Sequence, residues 1–121
     1  MVKKENVAKR KSIQFAIVIV STYKFLTETG KEFVLSKQLL RSGTSIGANI
    51  AEGEYASSEK DLLNKLYIAL KECNETLYWL ELLFETNYLD KERYDALTDS
   101  CSEIKRILSA STKTLKDKQE N

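Results

Sequence analysis

Apolar residues recur at intervals of three and four positions along four stretches of the chain, and this spacing predicts four amphipathic α-helices. The predicted helices span approximately residues 6–29, 32–56, 58–86 and 90–114. Four such helices with short connections predict an all-α fold, an antiparallel up-and-down four-helix bundle. The chain of 121 residues has the size of a single domain, and its last residues are expected to fray.

Local signals support these boundaries. Asp90, and Ser58 followed by Asp61, are typical helix N-caps, while Gly30 is expected to end the first helix. The sequence has no proline, which favours long uninterrupted helices. The run "IQFAIVIV" is also compatible with a buried strand, but no turn signals flank it, so a helix is the preferred interpretation.

The segment "RSGTSIGANIAEG", residues 41–53, carries three of the four glycines. It has neither the lysine of a phosphate-binding P-loop nor the glycine spacing of a dinucleotide-binding loop. On a helix, Gly43, Gly47 and Ala51 fall on one side and allow another helix to approach closely. The alternative is that Gly43 is a C-cap that divides the segment into two short helices. One continuous helix is favoured.

Polar residues form a second stripe on the same predicted helix. Their spacing of three, four and three fits a solvated face as well as a hydrogen-bonded seam between helices or subunits. In the seam, Arg41 is expected to pair with a carboxylate. The predicted helix-packing or oligomer interface combines both stripes and consists of Ser42, Gly43, Ser45, Gly47, Asn49, Ala51 and Glu52.

Charge is unevenly distributed, although the net charge is only +1. Residues 1–43 contain nine Lys/Arg and three Asp/Glu, a net charge of +6, whereas residues 44–99 have a net charge of −7. Clustered cations can bind a polyanion, but they are equally compatible with an ordinary solvated surface. The candidate nucleic-acid-binding residues are Lys3, Lys4, Lys9, Arg10, Lys11, Lys24, Lys37 and Arg41.

Candidate catalytic chemistry is sparse. The chain has no histidine, so the commonest general base and metal ligand is missing. Glu72 and Glu75 are an acidic pair of the kind that any Glu-rich helical surface produces. We therefore expect no enzyme, catalytic residue, metal or cofactor. Cys73 and Cys101 lack metal-site spacing and are expected to be buried free thiols in a reducing compartment.

The N-terminal apolar run is too short to span a bilayer, which takes about 20 residues, and it lacks a signal-peptide cleavage site. We therefore expect a cytoplasmic protein without a membrane anchor.

The middle of the chain, "LSKQLLRSGTSIGANIAEGEYASSEKDLLNKLYIALKECNETLYWLELL", resembles a bacterial family of four-helix-bundle proteins. The family includes proteins encoded within intervening sequences of 23S rRNA genes, and some of its members carry an "S23 ribosomal protein" label. The accessory variability protein of diversity-generating retroelements has the same fold. The most specific matching residues are Arg41-Ser42, Ser45-Ile46 and 48–53, followed by the stretches 60–70 and 72–83.

The resemblance implies a homopentameric barrel and, for the retroelement relatives, contact with RNA or DNA through basic residues. Those relatives are strongly basic, whereas this chain is nearly neutral, which fits the intervening-sequence branch better. The predicted function is that of a non-enzymatic oligomer that contacts nucleic acid. The alternative is a protein-interaction scaffold without nucleic-acid binding, which docks a basic partner such as a reverse transcriptase.

Overall fold

The computed structural model describes residues 6–120, which form four α-helices and no strand. α1 spans Val7–Glu28, α2 spans Leu35–Gly53, α3 spans Glu59–Glu85 and α4 spans Lys91–Glu120. Each helix packs against the next one in the chain, and α4 closes against α1, while the diagonal pairs make no close backbone contact. The predicted all-α, up-and-down four-helix bundle is confirmed.

Side-chain caps start three of the helices; the caps at Ser58 and Asp90 were predicted, and the cap at Asn6 was not. Asn6, Ser58 and Asp90 each accept a hydrogen bond from the backbone N–H three residues later, at 3.0, 3.1 and 2.8 Å. Each bond satisfies a donor that has no partner within its own helix. The run "IQFAIVIV" lies within α1, so the helical interpretation is confirmed.

The turn after α1 contains Gly30, which was expected to end the helix but does not itself adopt the left-handed conformation typical of a helix-ending glycine. α1 ends at Glu28, and the residue with positive φ is Lys31, at 55°. Gly30 is needed for another reason, because a Cβ there would lie 2.8 Å from the carbonyl oxygen of Leu26. The glycine permits a close approach between the turn and the last turn of α1.

Glu32 starts α2, which begins at Leu35 and not at the predicted position of about 32. Its buried carboxylate accepts hydrogen bonds from the backbone N–H groups of residues 34, 35 and 36, at 3.2, 3.0 and 2.7 Å. Burial works to raise the pKa of Glu32, but these backbone donors outweigh it and hold the pKa below its usual value. Residue 32 therefore belongs to the cap and cannot be helical.

α4 continues to Glu120, so the prediction that this helix ends near 114 is wrong. Leu115 packs against the core, and Lys118 Nζ lies 2.8 Å from Glu59 Oε1 at the start of α3. These contacts give the last turns of α4 a surface to pack on. The apolar core itself draws on all four helices, with its largest fully buried members at Ile19, Leu26, Leu39, Ile46, Leu80, Leu83, Ile104 and Leu108.

Candidate assembly and nucleic-acid interface

The glycines of α2 bring this helix close to α1. A Cβ at Gly43 would lie 2.9 Å from Ile19 Cγ1, and a Cβ at Gly47 would lie 2.9 Å from Ser12 Oγ. Ser12 is fully buried, and its hydroxyl donates to the carbonyl oxygen of Lys9 at 2.8 Å. α2 is one continuous helix, and its two glycines face α1. The alternative of a break at Gly43 is excluded.

The other side of α2 meets α3 through polar contacts. Ser42 and Thr76 are fully buried, and Thr76 Oγ1 lies 3.0 Å from Ser42 Oγ. Arg41 pairs with two carboxylates of α3, Glu72 at 3.3 Å and Glu75 at closer range. The expected pairing of Arg41 with a carboxylate is thus present, and it neutralises charge on the acidic pair of α3, Glu72 and Glu75.

The remaining members of the polar stripe divide between the two interpretations. Glu52 reaches α3, with its carboxylate 3.3 Å from Lys65 Nζ. Ser45 and Asn49 instead donate to carbonyl oxygens of α2 itself, at 2.6 and 2.8 Å. Ala51 is half-buried on the neighbouring side. The polar stripe therefore contacts α3 at its two ends, Ser42 and Glu52. Between them, its side chains form hydrogen bonds within α2 itself.

α1 carries an exposed apolar row that the candidate residues did not include. Ile13, Ile17 and Val20, here called the outer row, are 51%, 65% and 40% exposed. They border a groove of about 380 Å³ between α1 and α2, here called the α1–α2 groove. Its other lining residues are Ser12, Ala16, Thr44, Gly47 and Ala48, so no charged side chain lines it.

The signal for the outer row is present in the sequence. α1 has apolar residues on two adjacent rows, Phe15, Ile19 and Leu26 on one and the outer row on the other. One row suffices for the contact with the rest of this bundle, because Phe15, Ile19 and Leu26 are all buried. The outer row is therefore left exposed on the surface of the single chain.

The predicted nucleic-acid-binding cations lie in two groups at different levels of the bundle. Lys9, Arg10 and Lys11 are at the start of α1, whereas Lys24 lies some 20 Å further along the helix axis. Lys37 and Arg41 are in the first half of α2, which runs antiparallel to α1, so they belong to the second group. Lys3 and Lys4 lie outside the described residues.

Several of these cations already have carboxylate partners. Lys9 Nζ lies 2.9 Å from Glu54 Oε2. The hydrogen bond to Glu54 raises the pKa of Lys9 above its usual value, and the negative charge of Glu54 raises it further. Lys11 pairs with Glu103 of α4. Lys24 and Lys37 are exposed, and within residues 6–120 neither forms an ion pair. The second group therefore offers the more available charge.

The described residues show no cluster of His, Cys, Asp or Glu that is arranged to hold a metal ion. Cys73 and Cys101 are buried free thiols, as predicted. A hydrogen bond with Cys73 and burial raise the pKa of Cys101 far above its usual value, so this thiol does not ionise near neutral pH. Among the helices of residues 6–120, none has the length and hydropathy needed to cross a membrane.

Comparisons with known proteins agree with this architecture. Residues 4–110 match the model of a family described as the 23S rRNA-intervening sequence protein. A crystal structure of a protein of unknown function from the S23 ribosomal protein family of Bacteroides thetaiotaomicron has a TM-score of 0.88 and 56% sequence identity. The match covers 88% of this chain and 99% of that one. No curated protein matches the chain. The chain belongs to the family of 23S rRNA-intervening sequence proteins.

Proposed function

We propose that this protein is a non-enzymatic four-helix bundle that self-associates and binds nucleic acid through basic residues. Each copy in the assembly contributes its own set of these residues. The observation that carries the proposal is the outer row, Ile13, Ile17 and Val20, beside an uncharged groove. Contiguous exposed apolar surface is uncommon on monomers and marks contact sites. Covering it contributes about 25 cal/mol per Å² of apolar area removed from water.

A second copy of the chain is the proposed occupant of this face. The branched side chains of Ile13 and Ile17 form a ridge, and Gly47 and Ala48 leave a shallow depression beside it. A surface with both a ridge and a depression can pack against its own copies, and contacts between unlike patches form a ring when the rotation from copy to copy closes. The resemblance described above implies a homopentamer, which is the proposed assembly.

Two observations support a non-enzymatic role. The chain has no histidine, and the carboxylates of Glu72 and Glu75 are engaged by Arg41. Nucleic acid is the proposed ligand because Lys24 and Lys37 are exposed without ion pairs in the described part of the chain. Each copy adds such cations, and phosphate binding strengthens with every counterion that clustered cations release.

RNA binding by wild type and by two kinds of variant tests this proposal. Fluorescence anisotropy with a labelled RNA is expected to show binding that weakens as salt is raised. The double charge reversal Lys24→Glu with Lys37→Glu is expected to reduce affinity and flatten the salt dependence. Lys91→Glu with Lys118→Glu, whose wild-type lysines pair with Asp95 and Glu59, is the matched control, because it changes the net charge by the same amount.

The variant Ile17→Asp disrupts the outer row without removing a cation, and Ser109→Asp, which adds the same charge at an exposed position on α4, controls for the added carboxylate. Ile17→Asp is expected to bind RNA more weakly than wild type, since a single copy offers fewer phosphate contacts. The proposal is wrong if wild type shows no salt-dependent RNA binding, or if Ile17→Asp dissociates and still binds with wild-type affinity.

A scaffold that docks a basic protein is the second candidate. Glu81, Glu85, Glu92 and Asp99 are exposed, and none has an ion pair within residues 6–120. They lie on the C-terminal half of α3 and the first turns of α4, which meet at one end of the bundle. This candidate would be favoured if wild type binds a poly-lysine peptide but does not bind RNA.

A further inference from the structure

The solvent side of α3 carries an uninterrupted line of cations, amides and aromatic rings. Its members follow steps of four and three, so they stand above one another on one face of the helix. All six are exposed. We call this line the α3 face, and it consists of Lys60, Asn64, Tyr67, Lys71, Asn74 and Tyr78.

The α3 face is positively charged and its cations are available. No acid lies within the line, which ends before the exposed acids Glu81 and Glu85, and neither Lys60 nor Lys71 forms an ion pair within the part of the chain that the structure describes. The carboxylates of Glu72 and Glu75 beside it are held by Arg41. The charge of the line from Lys60 to Tyr78 therefore favours an anionic partner over a basic or neutral one.

Neighbouring carboxylates near the start of α3 are also engaged. Glu59 pairs with Lys118, and Asp61 accepts a hydrogen bond from the backbone N–H of Ser57 at 3.1 Å. On α4, Lys105 lies one turn beyond Cys101, whose thiol is 3.6 Å from the carbonyl oxygen of Cys73. Because the two helices are antiparallel, Lys105 adds positive charge at the level of the middle of α3.

Two tyrosine rings stand on the α3 face, with Tyr67 40% and Tyr78 57% exposed. Tyr78 is oriented by an edge contact with Trp79, with ring centroids 5.0 Å apart and planes at 74°. Trp79 is in turn fixed by a hydrogen bond from its Nε1 to Glu75 at 3.0 Å. The ring of Tyr78 is therefore held in place while more than half of the residue remains open to solvent.

The spacing of these groups fits an extended polymer. Tyr67 and Tyr78 are three turns apart, about 16 Å along the helix, with Lys71 between them. Exposed rings that accept stacked bases, interleaved with cations for phosphates, are the components of single-strand binding surfaces. Asn64 and Asn74 add side-chain amides that can bond to base edges or sugars.

We propose that the α3 face binds single-stranded nucleic acid, with bases stacked on Tyr67 and Tyr78 and a phosphate held by Lys71. The inference rests on the proposed binding of nucleic acid, but it places the contact on a helix other than those that carry Lys24 and Lys37. Duplex nucleic acid is a poor ligand for this face, because its bases are already stacked on one another.

Fluorescence anisotropy with a short labelled oligouridine RNA, alone and annealed to oligoadenosine, tests the inference. Wild type is expected to prefer the single strand. Tyr67→Ala and Tyr78→Ala are each expected to weaken single-strand binding by about tenfold, because base–aromatic stacking contributes roughly 1–3 kcal/mol per base. Tyr67→Phe is expected to retain binding, because phenylalanine also stacks.

Tyr88→Ala is the matched control, because Tyr88 is 39% exposed but lies in the turn after α3, outside the line. It is expected to bind like wild type. Lys71→Gln is expected to lower the salt slope by about 0.7, the value for one phosphate contact on a single strand. All these positions are exposed, so thermal melting curves are expected to match that of wild type.

The outcomes separate this inference from the proposed function. If Lys24→Glu with Lys37→Glu abolishes binding while both tyrosine variants bind like wild type, nucleic-acid binding stands and the α3 face is not its site. Equal affinity of wild type for single strand and duplex also overturns the inference. If wild type binds no RNA of either form, both proposals are overturned.

Discussion

α1 has two apolar rows of similar composition, one of which is buried in the bundle while the other is exposed to solvent. Ile19, in the inner row with Phe15 and Leu26, is fully buried, whereas Ile17, in the outer row, is 65% exposed. The difference arises on α2, where Gly43 leaves room for Ile19 to pack against the backbone. The comparison teaches that apolar spacing identifies a helix, while the small residues of its neighbour decide which row the bundle buries.

The first way to break this comparison is to truncate one residue of each row. Ile19→Ala is expected to lower the free energy of unfolding by about 2–5 kcal/mol, because it leaves a cavity in the packed core. Ile17→Ala is expected to change it by less than about 0.5 kcal/mol in a dissociated sample. Urea denaturation at low protein concentration measures both. Equal losses would show that the two rows are equivalent within a single bundle.

A smaller effect is expected at the turn that sets the direction of α2 relative to α1. Glu32→Gln is expected to lower the free energy of unfolding by about 1 kcal/mol at neutral pH, because the backbone donors of α2 lose a charged acceptor. Glu28→Gln, at an exposed position one turn earlier, is the control and is expected to have almost no effect.

The pH dependence of this effect has a definite sign. The pKa of Glu32 is lowered in the folded protein, so its contribution is present above the ordinary glutamate pKa of about 4.3. It is lost as the pH falls through the lower folded pKa. The difference between wild type and Glu32→Gln is therefore expected to shrink on acidification. A difference that stays constant from neutral to acidic pH would contradict the assigned role of Glu32.

Much of the fold could be predicted from the sequence because the signals are local. Helical spacing and the caps at Ser58 and Asp90 depend on residues that are close in the chain, and both predictions are confirmed. The start of α2 was missed because Glu32 resembles an acid in the first turn of a helix. Its buried carboxylate instead caps the helix, because it accepts hydrogen bonds from three successive backbone N–H groups. The end of α4 was missed because its support comes from Glu59, on another helix.

The candidate sites were harder to predict because they depend on which helix faces which. The glycines of α2 indicate a close contact, but only the fold shows that Gly43 and Gly47 face α1. The availability of a lysine likewise depends on distant residues, since Lys9 and Lys11 find Glu54 and Glu103 while Lys71 finds no acid among the described residues. Counting charges along the chain does not distinguish these cases.

The mass of the protein in solution tests the central claim most directly, because the outer row should be covered by another copy. In sedimentation velocity at micromolar concentration, wild type is expected to sediment as a multiple of the 13.9 kDa chain, in agreement with a homopentamer. Ile17→Asp is expected to sediment as the single chain, while Ser109→Asp, an exposed control on α4, keeps the wild-type mass. A wild-type protein of 13.9 kDa, or an Ile17→Asp variant with unchanged mass, would contradict the account.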